Sequence, residues 1–144
     1  MANPSPFIHL HVHSMYSLLD ALGDVSDLVD RAKEFGYDAL ALTDHAGLYG
    51  AVEFYEAAMK AGIKPILGVE AYLAPNTLTD KRPRIDDHPS HLTLLAETNE
   101  GYQNLLKLVS AAELEGFYYY PRVDHELLAK HSAGLIVTTG CPSG

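Results

Sequence analysis

The side chains of this sequence best able to bind metal ions fall in short clusters: His11-Val12-His13-Ser14, Thr43-Asp44-His45, Glu70, His91 and Cys141. Histidine is the commonest metal ligand among side chains, and the 8 histidines here are dispersed rather than consecutive, unlike a purification tag. His11 and His13 are two apart, so on an extended strand both imidazoles point to one face and can share an ion. His9 continues that face deeper in the strand and reads as a packed, hydrogen-bonded core histidine. His45 reads as a ligand. Asp44 beside it is either the acceptor that fixes a ligating histidine's tautomer or the N-cap of the next helix. Glu70 follows a largely apolar run, and a carboxylate buried there needs a partner. Bridging two metals meets that need; a salt bridge is the alternative. His91 is a further ligand, Asp20 a ligand or a turn residue, and His88 a solvated loop residue. Cys141 is either a thiolate ligand, because a bound metal deprotonates a thiol, or inert packing.

Mixed histidine and carboxylate ligands suit Zn, Mn or Fe. Two or three such ions can hold a phosphate ester, generate hydroxide at neutral pH and stabilise the leaving oxygen. The sequence has no G-x-x-x-x-G-K-[ST] phosphate loop and no G-x-S-x-G elbow, which argues against a P-loop NTPase and a serine hydrolase. The formal charge of -9 and pI near 5.2 argue against a stand-alone DNA-binding module, which should be basic. They do not argue against a metallohydrolase, whose carboxylates and ions compensate locally.

These residues need elements to position them. Phe7–Val12 alternates residue types like a strand. Asp24 caps a helix carrying Val25, Leu28, Val29, Ala32 and Phe35, and Gly36 stops it. Ala39–Leu42 is a wholly apolar run suited to a strand buried on both faces. Val52, Tyr55, Ala58 and Met59 form a helical stripe ended by Gly62, and Ile63–Val69 is a strand with Glu70 at its end. Residues 74–90 hold three prolines and read as a long surface loop. His91–Ala96 is a strand, and Thr98 or Asn99 caps a helix carrying Tyr102, Leu105, Leu106, Val109 and Ala112. Residues 115–121 form an aromatic loop, Asp124–Lys130 a short helix, and Leu135–Thr138 a last strand followed by a turn through Cys141. Alternating strands and helices imply right-handed βαβ units and a parallel sheet, with the ligands gathered where its strands end.

The chain, 144 residues long and 47% hydrophobic, suffices for one core. It has no apolar run of the roughly 20 residues that cross a bilayer. The opening MANPSPFIHLHVHS lacks the pattern of a signal peptide, and the single cysteine fits a reducing cytoplasm. The chain stops just after a strand with no closing helix, so it reads as a fragment.

H-x-H, T-D-H, G-V-E and a later His and Cys, in that order, resemble the PHP (polymerase and histidinol phosphatase) superfamily. The wider wording, FIHLHVHSMYSLLDAL, ALALTDHAGLYGAVEFYEAAMKAGIKPILGVEAYLA, HLTLLAETNEGYQNLLKLVS and GLIVTTGCPSG, is similar to the PHP domains that open the alpha subunits of bacterial replicative polymerases of the DNA polymerase III type. This resemblance implies an α/β fold, a distorted (β/α)7 barrel whose first half residues 1–144 would supply. It implies up to three divalent metal ions held by His11, His13, Asp20, His45, Glu70, His91 and Cys141, with His13, Glu70 and His45 carrying the chemistry. The implied activity is a metal-dependent phosphoesterase, a 3'-5' exonuclease that proofreads. The implied partners are DNA at a primer 3' end, the remaining polymerase domains and replisome subunits, with no membrane. The alternatives are a non-catalytic, metal-stabilised structural module and a free-standing histidinol-phosphatase type of enzyme. The family's late Asp-x-His pair is absent from the chain, so these residues alone are expected to be inactive, and half a barrel with open sheet edges is expected to dimerise or aggregate.

Overall fold

The computed structural model describes residues 7–140. Helix α1 (Val25–Glu34) begins at Asp24, whose side chain accepts from the Ser26 amide, and buries Val25, Val29 and Ala32. Gly36 follows at φ 74°, a conformation glycine adopts without strain. Strand β1 (Ala39–Leu42) is buried throughout. Helix α2 (Ala51–Ala61) closes on Gly62 in the left-handed conformation and buries Ala51, Phe54 and Ala58. Of the expected stripe only Ala58 is buried; Val52, Tyr55 and Met59 are exposed. The helix is apolar on more than one face, and Phe54, whose ring carries no hydroxyl to satisfy, takes the core.

Strand β2 (Lys64–Leu73) runs three residues past Glu70, so Glu70 sits within the strand and not at its end. Strand β3 (Ser90–Ala96), helix α3 (Asn99–Leu114, capped by Thr98), a two-residue strand β4 (Arg122–Val123), helix α4 (His125–Lys130, capped by Asp124) and strand β5 (Leu135–Thr138) complete the order. The sheet runs β1-β2-β3-β5, with β4 pairing β2. Only β1–β2 and β2–β4 are parallel; β2–β3 and β3–β5 are antiparallel. The all-parallel expectation fails because parallel neighbours need a crossover, and residues 74–89 contain no helix. The chain therefore returns beside β2 in the opposite sense. Two apolar clusters result, one packing α1 and α2 on β1, the other packing α3 on β2 and β3.

Residues 7–12 form no strand. They lie along β1 through Ala41 N to His9 O, at 3.0 Å, and Thr43 N to Val12 O, at 2.8 Å, while the Thr43 hydroxyl accepts from the Val12 amide. That spacing skips a residue of the ladder, so the segment is tethered but not pleated. His9 is exposed, with Nε2 3.3 Å from the Tyr37 hydroxyl; it is no core histidine.

The segment 74–89 is a surface loop with a buried anchor. Asp86 and Arg122 are both fully buried. Arg122 donates from Nε to Gly116 O, from Nη1 to Asp86 O, and from Nη2 to Leu78 O and Asp80 O. Asp86 accepts from the Arg82 amide, Nε and Nη2. No helix among the described residues is long and apolar enough to cross a membrane.

Candidate metal centre

Glu70 stands where β2 has left the ladder to β1 and not yet met β4. An isolated parallel bridge to His45 marks the gap, and on the other side Glu70 pairs with Thr93 of β3. Its side chain is almost wholly buried, and four histidines converge on it. Oε2 lies 2.7 Å from His11 Nε2, 2.7 Å from His13 Nε2 and 3.7 Å from His45 Nδ1. Oε1 lies 2.8 Å from His91 Nδ1. His11 Nε2 and His13 Nε2 are 3.2 Å apart. The donors form two trios with Glu70 in common: His11, His13 and Glu70; His45, Glu70 and His91.

Asp20 stays at the exposed rim, 3.3 Å from His45 Nε2. His88 is exposed, as expected, and lines a cleft of about 400 Å³ with Asp20, His45, Tyr72, Asp87, Pro89, His91 and Tyr120. Asp44 takes neither role foreseen for it. Its carboxylate accepts from the Ser14 amide at 2.6 Å, the Ser14 hydroxyl at 2.8 Å and the Ser17 hydroxyl at 2.7 Å. The Ser17 hydroxyl in turn accepts from the His45 amide. The acid thus clamps the turn carrying Asp20 onto the segment carrying His45. Cys141 lies outside the described residues. Gly140, just before it, brings the backbone back to the centre: a Cβ there would lie 2.7 Å from Thr93 Oγ1 and 3.7 Å from His11 Cε1.

The ionisation states suit cation binding. Burial pushes the Glu70 carboxyl up, but the His11 bond and the neighbouring histidines outweigh it, leaving the acid below its ordinary range. Burial pushes His45 down, against the pull of Glu70; a neutral imidazole is the form that ligates. Tyr72 packs flat on His45, 5.6 Å between ring centres and 7° between planes. Burial and then the charges of Tyr120, Asp20 and Glu70 push its phenol up to about 12, so it stays protonated. His45 Nδ1 and Thr93 Oγ1 are buried without a hydrogen-bond partner. A buried imidazole nitrogen left orphaned beside an ionised carboxylate is what removal of a cation would leave behind, so the donor set fits a divalent metal.

The structure brings His11, His13, His45, Glu70 and His91 of the expected ligands together, and adds roles that the sequence did not suggest for Ser14, Ser17, Thr93, Tyr72 and Tyr120. Ser14 adjoins the H-x-H pair and Thr93 faces Glu70 across the sheet, but only tertiary pairing reveals either.

Residues 9–144 match the PHP domain family, and the chain belongs to it. Among its relatives is the DNA polymerase III subunit alpha of Borreliella burgdorferi, 51% identical over 145 residues that span 100% of this chain and 13% of the relative. The same subunit of Aquifex aeolicus is 44% identical over 96% of this chain and 12% of the relative. The chain therefore spans about an eighth of the curated relatives it matches. An amidohydrolase from Chromobacterium violaceum, solved with bound sulfate and no metal, superposes with a TM-score of 0.54 and 30% identity over 74% of this chain and 33% of its own. A candidate metal-dependent phosphoesterase from Bifidobacterium adolescentis gives 0.53 and 19% over 76% and 34%, a likeness of fold alone. The α/β architecture and the PHP-type barrel implied by the sequence are thereby borne out.

Proposed function

We propose that this chain supplies the larger part of a metal-dependent phosphoesterase centre, in which two divalent ions share Glu70. The observation that carries the reading is the pair of histidine trios with that one carboxylate in common. His11 and His13 would hold one ion and His45 and His91 the other, with Asp20 closing the rim and Cys141 as a further ligand. The ions, when bound, would neutralise phosphate charge and supply an activated water. The chain's own part is positional. Asp44 fixes the turn of residues 14–17, Tyr72 fixes the His45 ring, and Thr43 ties the His11–His13 segment to β1.

The relatives support placing this centre at the amino-terminal end of a replicative polymerase alpha subunit in the bacterial cytoplasm. The substrate would then be DNA, the reaction 3'-5' removal of a terminal nucleotide, and the partners the remaining polymerase and replisome. Zn, Mn or Fe fits the ligands, and a third ion would need ligands beyond the two trios.

The test is elemental analysis of the full-length protein with Glu70→Gln and His13→Ala, followed by hydrolysis of 3'-labelled single-stranded DNA. Wild type should hold at least two equivalents of metal, both variants should lose metal, and hydrolysis should fall at least about 100-fold. Absence of metal from wild type sinks the reading. Stoichiometric metal without hydrolysis would leave a metal-stabilised structural module instead.

A further inference from the structure

One wall of the cleft beside the histidine cluster contributes no donor to the two trios. Tyr72 lies flat on His45 and edge-on to His91, 4.9 Å between ring centres. Tyr120 covers Tyr72 at 4.6 Å and a tilt of 37°, lines the cleft and remains 42% exposed. Tyr120 is held firmly for a loop residue. The Tyr118 amide donates to Tyr120 O at 3.0 Å, Tyr119 sits at φ 59°, and Arg122, two residues on, is buried with its guanidinium 5.3 Å from the Tyr118 ring. A bulky residue at positive φ is uncommon and strained, and such strain concentrates at functional sites.

We propose that Tyr120, backed by Tyr72, is a stacking platform for one unpaired nucleobase of the strand whose phosphodiester lies at the Glu70 cluster. The proposal rests on the phosphoesterase reading and adds the feature that would select a nucleotide over any other phosphate ester. A cleft of about 400 Å³ lies near the lower end of ligand-pocket sizes, enough for one nucleotide and too small for a duplex end. The chain's charge of -9 opposes a polyanion, so selection must come from contacts that charge does not govern. Every base offers a π-face, and stacking on an aromatic side chain is tolerant of sequence. An unpaired base at the end of a strand is also the feature that separates a frayed terminus from a paired one.

The experiment is calorimetry on the Mn-loaded full-length protein with thymidine 5'-monophosphate and with 2-deoxyribose 5-phosphate, which carries an anomeric hydroxyl in place of the base. Wild type should bind the nucleotide roughly 5- to 150-fold more tightly, the range that base stacking supplies. Tyr120→Ala should erase that preference while leaving metal content and sugar-phosphate affinity unchanged, and Tyr120→Phe should keep it. Equal affinity in wild type, or a preference surviving in Tyr120→Ala, overturns the platform and leaves the phosphoesterase reading standing. If neither ligand binds the metal-loaded wild type, both fail. Should Tyr120→Ala lose metal, Tyr120→Leu decides, being bulky but without a π-face: a retained preference overturns the platform and a lost one upholds it.

Discussion

Replacing Arg122 by Met removes the pin that holds one cleft wall while keeping most of the side chain's length and apolar bulk. The guanidinium is fully buried and donates to four carbonyl oxygens at 3.0, 2.9, 3.1 and 2.8 Å. A hydrogen bond from a charged donor contributes about 1.5–3 kcal/mol, so the four amount to roughly 6–12 kcal/mol before offsets. Two offsets are large. The methionine avoids several kcal/mol of guanidinium desolvation, and the carbonyls of Leu78 and Asp80, in a partly exposed part of the loop, can turn to water. Gly116 is buried and its carbonyl has no such escape. A net loss of about 3–5 kcal/mol is expected, the range for removing one partner from a buried ionic arrangement. Urea denaturation of wild type and variant, with the slope checked for constancy, measures it. Amide exchange over residues 78–88 should accelerate more than exchange in β2. Arg122→Lys should fall between, because an ammonium cannot reproduce the guanidinium fork. A loss below about 1 kcal/mol would refute the reasoning, since the four bonds would then only balance desolvation and the loop would be held by something else.

Other substitutions probe the centre and its supports. Asp44→Ala should cost about 3 kcal/mol, because it strips three donors of their acceptor in a buried turn, and should weaken metal affinity roughly 10- to 100-fold in a chelator competition; unchanged affinity would show that the clamp does not position His45. Acid stability should depend on Asp86. The Arg82 bond leads the effects that hold its carboxyl at about 2, against about 3.9 in an unfolded chain. A depressed acid stabilises fully above its unfolded value and loses that contribution as pH falls through its folded one. The wild-type urea midpoint should therefore drop more steeply than that of Asp86→Asn between about pH 5 and pH 2; parallel curves would dismiss this carboxyl.

Local rules were legible where local physics decides. Asp24, Thr98 and Asp124 cap helices because their side chains can reach the first free amides, and Gly62 ends one because glycine takes φ 78° without strain. The histidines and the carboxylate of the candidate centre were legible as types. Their convergence on Glu70 depends on the gap between β1 and β4, which no window of sequence encodes. Strand direction failed for the same reason: whether β3 returns parallel or antiparallel rests on the 74–89 loop having a buried anchor in place of a helix. Asp44 was misread because a cap and a clamp look alike until Ser14 and Ser17 are folded against it.

The electrostatics of the chain restrict how such a centre can meet a nucleic acid. Proteins that grip DNA through many phosphates need a basic face, and lose about 10³- to 10⁵-fold in affinity between 50 and 200 mM salt. A chain of net charge -9, with Asp20 and Asp87 in the cleft wall, is not basic overall. Four histidines on one buried carboxylate concentrate the capacity for positive charge, once ions are held, at a single point a few ångströms across. On the proposed reading, a strand end that reached that point would gain attraction for one phosphate and one stacked base, whereas a duplex lying across this chain would meet its net negative charge. Under the proposed function, selection for a terminus would follow from where the compensating charge is placed, at a histidine cluster that shares His45 and His91 with the wall of the cleft.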